Sequence, residues 1–356
     1  MDIRDVARRA GVSTATVSRT VNQVATVDAQ LAKRVWRATE ELGYYPNRQA
    51  RALVSGRSRV FGLIVSEITN PFFPEIVQTF ETLAVEQNYE ILLTSTIHDP
   101  KRMELAVRRM IEGRVEGVAI LTFGMEDALL EHLRFRNLPL VFVDVGPKAP
   151  RVSNIRVDYA HGICQAVEHL AAMKHEWIGS VTGPLKLRSA FARKDAFEES
   201  MREIGLEAKP EFIVEGDHRL EGGKQALQKL SKLREQPTAL LCSNDMTAIG
   251  VMRQAFELGI AVPRELSVVG FDDTRLADFM IPPLTTVQMS QTELATLAFN
   301  ALLKEVRRET PSPGGTEYVL ETNLILRSST AFPDGNNQAR FRTASRRPEQ
   351  TGAARE

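Results

Sequence analysis

Cysteine is nearly absent, with two residues, Cys164 and Cys242, in a chain of 356. Two thiols cannot build a cysteine-based structural zinc site, and so few fit a reducing compartment better than a disulfide-stapled secreted scaffold. Each reads as a small buried hydrophobe. Long apolar runs are missing too. No stretch reaches the roughly 18 residues that a membrane span requires, and the start Met1-Asp2-Ile3-Arg4-Asp5 lacks the apolar stretch of a signal peptide. The expectation is a cytoplasmic chain with no membrane partner. Catalytic signatures are absent as well: no G-x-x-x-x-G-K-[ST], G-x-G-x-x-G, G-x-S-x-G or H-E-x-x-H string occurs. Six scattered histidines give no metal-ligand spacing, and surface or capping roles are expected for His161, His169 and His175. The chain is therefore expected to be no enzyme, to bind no metal and to need no cofactor.

Net charge is also missing, since 45 Lys and Arg stand against 45 Asp and Glu. Taken whole, that balance argues against a phosphate-rich partner. It is an average over unlike parts. Residues 1–60 carry 11 basic and 5 acidic side chains, residues 61–330 carry 29 and 37, and residues 331–356 carry 5 and 3. A small basic head on a large acidic body reads as a nucleic-acid-binding module attached to something else.

In the head, Ile3, Val6, Ala7 and Ala10 recur at helical spacing, with Asp2 as N-cap and Gly11 as stop. Ser13 can cap a second helix that turns Val17 and Val21 inward, which makes a helix-turn-helix pattern. At about 100° per residue, Ala15 and Arg19 lie opposite Val17, with Asn22 close by and Thr14, Thr16 and Ser18 on the flanks. Such a face can enter the major groove, where Arg19 can grip guanine and the hydroxyls can reach phosphates or base edges; a solvated surface helix is the alternative. A third helix places Leu31, Val35, Ala38 and Leu42 inward before Gly43. Beyond it, Asn47 can cap a helix of about two turns ending at Gly56, too short to be stable alone and so a candidate to fold on DNA.

From residue 60, short apolar runs alternate with amphipathic stretches, the pattern of repeated βα units around parallel sheets. The series restarts after Ser153–Asp158, so two α/β lobes with a cleft are expected. Ligands in open α/β sheets bind beyond the carboxyl ends of the strands. That rule gathers Ser66, Asn70 to Phe73, Asp144, Gly183 to Ser189 and Arg193, Asp217-His218, Asn244-Asp245 and Phe271-Asp272-Asp273 into one site. Carboxylates, an amide, a guanidinium and aromatic rings suit a polyhydroxylated ligand.

The stretch from Asp5-Val6-Ala7 through Ala10-Gly11-Val12-Ser13-Thr14-Ala15-Thr16-Val17-Ser18-Arg19-Thr20-Val21-Asn22, followed by Leu42-Gly43-Tyr44-Tyr45-Pro46-Asn47, resembles the DNA-binding head of the lactose-repressor family. The resemblance runs to about residue 330, through Thr182-Gly183-Pro184, Cys242-Ser243-Asn244-Asp245, Val268 to Asp273 and Ile281 to Val287. It implies an all-α helix-turn-helix head and an α/β two-lobed body like periplasmic binding proteins. By the same resemblance, Thr14, Ala15 and Arg19 are base-reading positions, while Ser13, Thr16, Ser18 and Asn22 touch the backbone or flanking bases. Asn47, Ala50 and Leu53 fall where the family's hinge helix meets the minor groove, and paired Leu53 side chains would wedge a base step. The implied effector contacts are Phe72, Phe73, Asp144, Ser189, Arg193, His218, Asn244 and Asp272. For single residues a structural role stays open: Asp144 or Asp272 can cap a following helix, and Phe72 or Phe73 can be core. Members of the family that bind lactose-type sugars or purines carry a large aromatic at the His218 position, and the arginine of purine-binding members matches Leu187, which argues against a purine.

The expected organisation is a helix-turn-helix domain over 1–46, a hinge over 47–59 and an effector-binding and dimerisation domain over 60–332. Within the latter, lobe 1 is expected over 60–156 and 288–317 and lobe 2 over 157–287 and 318–332. Residues 333–356, rich in Gly, Asn, Gln, Arg and Ser and without an apolar heptad, are expected to be a disordered tail. The expected function is that of a homodimeric transcriptional regulator, most simply a repressor. It would bind a pseudo-palindromic double-stranded operator under allosteric control by a small metabolite, a sugar or sugar derivative. A cytoplasmic sugar-binding module without DNA function is the alternative.

Overall fold

The structure is a computed structural model that describes residues 1–21, 27–44, 57–97, 99–122, 133, 136–144, 146–308 and 315–333. The expectations for Asn22, Asn47, Ala50, Leu53, the hinge helix and the tail beyond residue 333 lie outside the described residues. Two compact units divide the chain, Met1–Arg59 and Val60–Glu356.

In the first unit, helices α1 (Ile3–Ala10), α2 (Thr14–Val21) and α3 (Ala29–Glu41) form where the apolar spacing placed them. The Asp2 carboxylate accepts from the Arg4 and Asp5 amides, and the Asp5 carboxylate accepts from the Asp2 amide at 3.0 Å, so orphan donors at the start of α1 are satisfied reciprocally. Gly11 ends α1 at φ 64°, a backbone that an L side chain resists. The same glycine lets the Arg34 guanidinium reach the Ala10 and Gly11 carbonyls at 2.6 and 3.2 Å, tying α3 to the turn. Val6, Ala7, Ala10, Val17, Val35 and Ala38 form its buried apolar core among the described residues.

The second unit holds two six-stranded sheets. The first contains β1 (Val60–Val65), β2 (Glu90–Ser95), β3 (Gly117–Leu121), β4 (Leu140–Val143), β5 (Val152–Asp158) and β11 (Thr316–Glu321), all parallel, in the order β11-β5-β4-β3-β1-β2. The second contains β6 (Ile178–Thr182), β7 (Ile213–Glu215), β8 (Ala239–Cys242), β9 (Ser267–Asp272), β10 (Thr285–Gln288) and β12 (Asn323–Ile325), in the order β12-β10-β9-β8-β6-β7, with only β12 antiparallel. The helices that matter for function are α4 (Phe72–Glu86), α5 (Pro100–Glu112) and α6 (Tyr159–Ala172), then α7 (Arg188–Glu203), α8 (Leu220–Leu230) and α9 (Asp245–Leu258), and finally α10 (Arg275–Phe279) and α11 (Gln291–Arg307). Central strands are buried on both faces, as parallel sheets covered by helices must be.

The chain crosses between lobes three times, and the crossings correct the expected boundaries. β5 keeps its place in the first sheet to Asp158, where it pairs with Glu321 of β11, two residues past the expected end of the segment. β11 pairs with β5 from Thr316 to Glu321, so the third crossing falls at Thr322 and not at 317. The polar alternation of this edge strand concealed its membership. Thr322, fully buried, donates its hydroxyl to the Asp158 carbonyl at 2.6 Å and accepts from the Gly162 amide at 3.1 Å, joining the third crossing to the first.

His175 is also corrected, from a surface or capping role to a buried clamp. Its Nε2 lies 2.9 Å from the Ala331 carbonyl, and Nδ1 lies 2.8 Å from the Thr238 hydroxyl. With Nε2 donating and Nδ1 accepting, the bonds need a neutral ring, and burial holds the imidazole below the ordinary histidine value. Above about pH 6.5 both folded and unfolded histidine are neutral, and below it the unfolded chain takes up the proton first. Stability should therefore fall as pH drops from about 7 towards 5. Urea midpoints across that range should slope less in His175→Asn, and an unchanged slope would remove His175 as the cause.

Candidate functional site

On the head, Ser13, Thr14, Ala15 and Arg19 are exposed while Thr16 and Ser18 are half-buried. The Ser13 hydroxyl accepts from the Thr16 amide at 3.1 Å and lies 2.9 Å from the Thr16 hydroxyl, so both side chains brace the start of α2. Arg8 pairs with Asp5, and Arg9 and Arg37 converge on Glu41, whose carboxyl is held below its ordinary value by hydrogen bonds from Arg9 and then Arg37. Arg19, by contrast, has no acidic partner among the described residues. It stands one helical turn beyond Ala15 on an open face, the geometry of a guanidinium available to a base edge.

In the body, every expected effector residue lies at or just beyond the carboxyl end of a strand. Phe72 and Phe73 open α4, Asp144 follows β4, Ser189 and Arg193 lie on α7 after β6, His218 follows β7, Asn244 follows β8, and Asp272 ends β9. Arg193 is the centre. Its guanidinium lies 4.0 Å from the centroid of the Phe271 ring and 4.9 Å from that of Tyr159, donates to the Ser243 carbonyl and stands 4.0 Å from the Asp272 carboxylate. The Tyr159 hydroxyl donates to Asp144 at 2.6 Å, and the Val157 amide donates to the other carboxylate oxygen at 2.8 Å. Carboxylates from both lobes are thus joined through one phenol and one guanidinium.

The electrostatics follow from burial. Desolvation raises the Asp144 carboxyl above its ordinary value, against the Tyr159 hydroxyl and the Val157 amide. It raises Asp272 well above that value, with the Arg193 charge opposing. Asp245 is pushed up to about 7 by burial, against hydrogen bonds from Thr286 and Thr274. Backbone strain marks the same places: Asp144, His218, Asp272 and Asp273 have φ of 63°, 64°, 106° and 53°. Left-handed non-glycine residues cost energy and persist where surrounding structure holds them, which is common at ligand clamps. His218 needs Gly183 beside it, because a Cβ there would stand 2.1 Å from the imidazole.

Not every expected residue is free to meet a ligand. The Asn244 amide oxygen accepts from the Thr247 amide at 2.9 Å and its hydroxyl at 2.7 Å, and its nitrogen donates to the His218 carbonyl at 3.0 Å. Asn244 is thus an N-cap that holds the His218 loop. Phe72 and Phe73 stack edge to face at 5.3 Å within the cluster that contains Tyr159 and Phe271, largely core with small exposed edges. Ser189 is buried in the first turn of α7. Tyr159 and Ser243 escaped the expected contact set. For Tyr159 the available signal was its place directly after the strand at which the second series restarts.

A helix-turn-helix head joined to a two-lobed α/β body with a polar cluster at its strand ends defines a DNA-binding transcriptional regulator. Residues 2–47 match the model described as bacterial regulatory proteins, lacI family, and residues 167–330 match the periplasmic binding protein-like domain. The chain is 34% identical over 331 residues to the HTH-type transcriptional repressor PurR of Glaesserella parasuis, covering 92% of this chain and 97% of that one. Against the PurR of Aliivibrio salmonicida it is 32% identical over 306 residues, 86% and 92% of the two chains. Among solved structures, the Lac repressor dimer bound to operator and the anti-inducer ONPF aligns with a TM-score of 0.82 at 29% identity, covering 93% and 99%. A transcriptional regulator CelR–cellobiose complex aligns at 0.70 and 27%, covering 92% and 99%. The chain belongs to the lacI family and is a DNA-binding transcriptional repressor of that family.

Proposed function

We propose that this repressor acts in the cytoplasm as a homodimer on a pseudo-palindromic operator and that a sugar or sugar derivative, held between its lobes, sets its operator affinity. Thr14, Ala15 and Arg19 read bases, and Ser13, Thr16, Ser18 and Asn22 meet backbone or flanking bases. Asn47, Ala50 and Leu53 of the hinge enter the minor groove. In the body, Asp144, Arg193 and Asp272 hold ligand hydroxyls, Phe72, Phe73 and Ser189 line the site, and His218 and Asn244 shape its rim. The observation that carries this reading is the Asp144–Tyr159–Arg193–Asp272 chain of contacts, which links the two lobes at their strand ends. A ligand gripping both carboxylates would fix the lobe spacing and so the separation of the two hinges, and DNA must oppose or favour that ligand by the same factor.

Two features favour a sugar over a purine. Leu187, buried before α7, puts an apolar side chain where purine-binding members of the family place arginine. His218 likewise offers an imidazole in place of a large stacking ring. A dimer is supported by large apolar side chains left in water on the body: Phe256 is 76% exposed, Phe279 70% and Ile281 93%. A thermal-shift screen of unphosphorylated mono- and disaccharides, with purine bases alongside, tests the reading. A sugar should raise the midpoint of the wild type and fail to raise that of Asp272→Ala. Stabilisation that survives the substitution, or a shift given by purines alone, would defeat it.

A further inference from the structure

A second crevice, of about 390 Å³, opens beside the crossing from β10 to α11. All its lining residues are polar, and they come from both lobes: Glu75 and Thr292 from the first, Asp273, Arg275 and Arg327 from the second. Its size falls within the range of small-molecule sites. It is not the effector cluster, whose centre is Arg193. The two sites meet at consecutive residues, since Asp272 faces Arg193 and Asp273 lines the crevice, and Gln291 of the crevice donates to the Asp272 carbonyl at 2.6 Å.

Unlike charges line this crevice: Asp273 pairs with Arg327, whereas Glu75 and Arg275 make no ion pair among the described residues. Glu75, exposed on α4, accepts the Thr292 hydroxyl at 3.2 Å and has no cation within ion-pair distance among the described residues. Arg275, exposed at the start of α10, has no carboxylate within that distance among the described residues. Asp273 accepts from the Gln288 amide at 2.8 Å through one oxygen. Its other oxygen, 2.8 Å from Arg327, is buried and has no donor aligned on it. A simple anion would meet the unpaired carboxylate of Glu75 here, and a simple cation would meet Arg275.

We propose that the crevice binds a zwitterionic small molecule of the α-amino acid class, its ammonium at Glu75 and its carboxylate at Arg275. Only a ligand carrying both charges complements both groups at once. Because Glu75 moves with one lobe and Arg275 with the other, the ligand is held at one lobe spacing only. It is therefore coupled to whatever moves the lobes, and the coupling is reciprocal. The charged groups are exposed, so the affinity is modest, in the millimolar range.

The experiment is saturation-transfer NMR on the full chain with each of the twenty L-amino acids, and with propionate and putrescine as ligands bearing charge of one sign. At least one amino acid should bind saturably, and Glu75→Gln and Arg275→Gln, both at exposed positions, should each weaken it about tenfold or more. Propionate and putrescine should bind these variants and the wild type alike. The proposal is overturned if no amino acid binds, if binding is indifferent to both substitutions, or if the probes of one sign bind as well as the zwitterion. An amino acid lost only in Arg193→Ala would lie in the effector cluster and would also overturn it.

Discussion

Arg19→Ala is expected to weaken operator binding by about 1–3 kcal/mol per half-site, the worth of a bidentate guanine contact. That is roughly fivefold to 150-fold for each head, compounded when both heads of a dimer carry the change. Arg19 is exposed and makes no ion pair among the described residues, so its removal takes nothing from the head's core of Val6, Val17 and Val35. Circular dichroism of the variant should therefore match the wild type. Salt dependence separates readout from mere attraction. Loss of one phosphate contact would weaken all sequences alike and lower the salt slope by about one, whereas loss of a base contact removes preference for one base pair. Titration against an operator selected from genomic DNA and against a scrambled duplex, at two salt concentrations, makes the distinction. Unchanged preference in the variant would show that α2 does not read sequence through Arg19.

The net charge of zero bears on the same experiment. Residues 1–60 carry 11 basic side chains against 5 acidic, and residues 61–330 carry 29 against 37. Most of the positive excess therefore lies in the head, and several of its arginines are already engaged. Arg9 and Arg37 share Glu41, and Arg34 is spent on the Ala10 and Gly11 carbonyls. That leaves less of the head's positive charge for indiscriminate binding. Affinity then rests on correctly spaced heads and specific contacts, which sharpens the effect expected of Arg19.

The head was legible because each signal in it is local. Asp2, Gly11 and Ser13 act on neighbours within a few residues, and α1, α2 and α3 lie where caps and apolar spacing put them. The strand ends of the body were legible for a related reason, since topology assigns their polar residues to one edge. What could not be read was the partner that each side chain finds there. Asn244 and Asp245 are adjacent and equally suited to a ligand, yet both turn inward. Asn244 caps α9, and Asp245 accepts from Thr274 and Thr286, which lie 29 and 41 residues away. Gly270 permits this, because a Cβ there would stand 2.3 Å from the Asp245 carboxylate. Tyr159 shows the same limit from the other side, since its role exists only once Asp144 and Arg193 flank it. β11 was misplaced because an edge strand needs few apolar residues and so has little periodicity to read.

Arg193→Ala is expected to be the most damaging single change in the body, and its repair should separate stability from ligand response. The guanidinium is nine-tenths buried and is the cation beside Asp272, which is itself 5% exposed. Removing one member of a buried pair leaves the other charged and desolvated, at a cost of about 3–5 kcal/mol. The stacking on Phe271 at 4.0 Å is lost too. Burial already raises the Asp272 carboxyl well above its ordinary value, and loss of Arg193 removes the opposing effect. A carboxyl whose folded value is raised favours the protonated native state. The destabilisation should therefore be greatest at neutral pH and shrink as the solution is acidified towards the ordinary carboxylate range. Asp272→Asn on the Arg193→Ala background removes the stranded charge while keeping its shape. The double variant should regain much of the lost unfolding free energy at pH 7 and lose the part of the pH dependence that the stranded Asp272 carboxyl causes. Ligand response should not return, because neither the guanidinium nor the carboxylate remains to grip a hydroxyl. Urea unfolding at pH 5 and 7 with the sugar screen on the wild type, Arg193→Ala, Asp272→Asn and the double variant gives both readouts. If the double variant were no more stable than Arg193→Ala, the stranded Asp272 charge would not be the source of the damage; if it still answered the sugar, this network would not be where the effector binds.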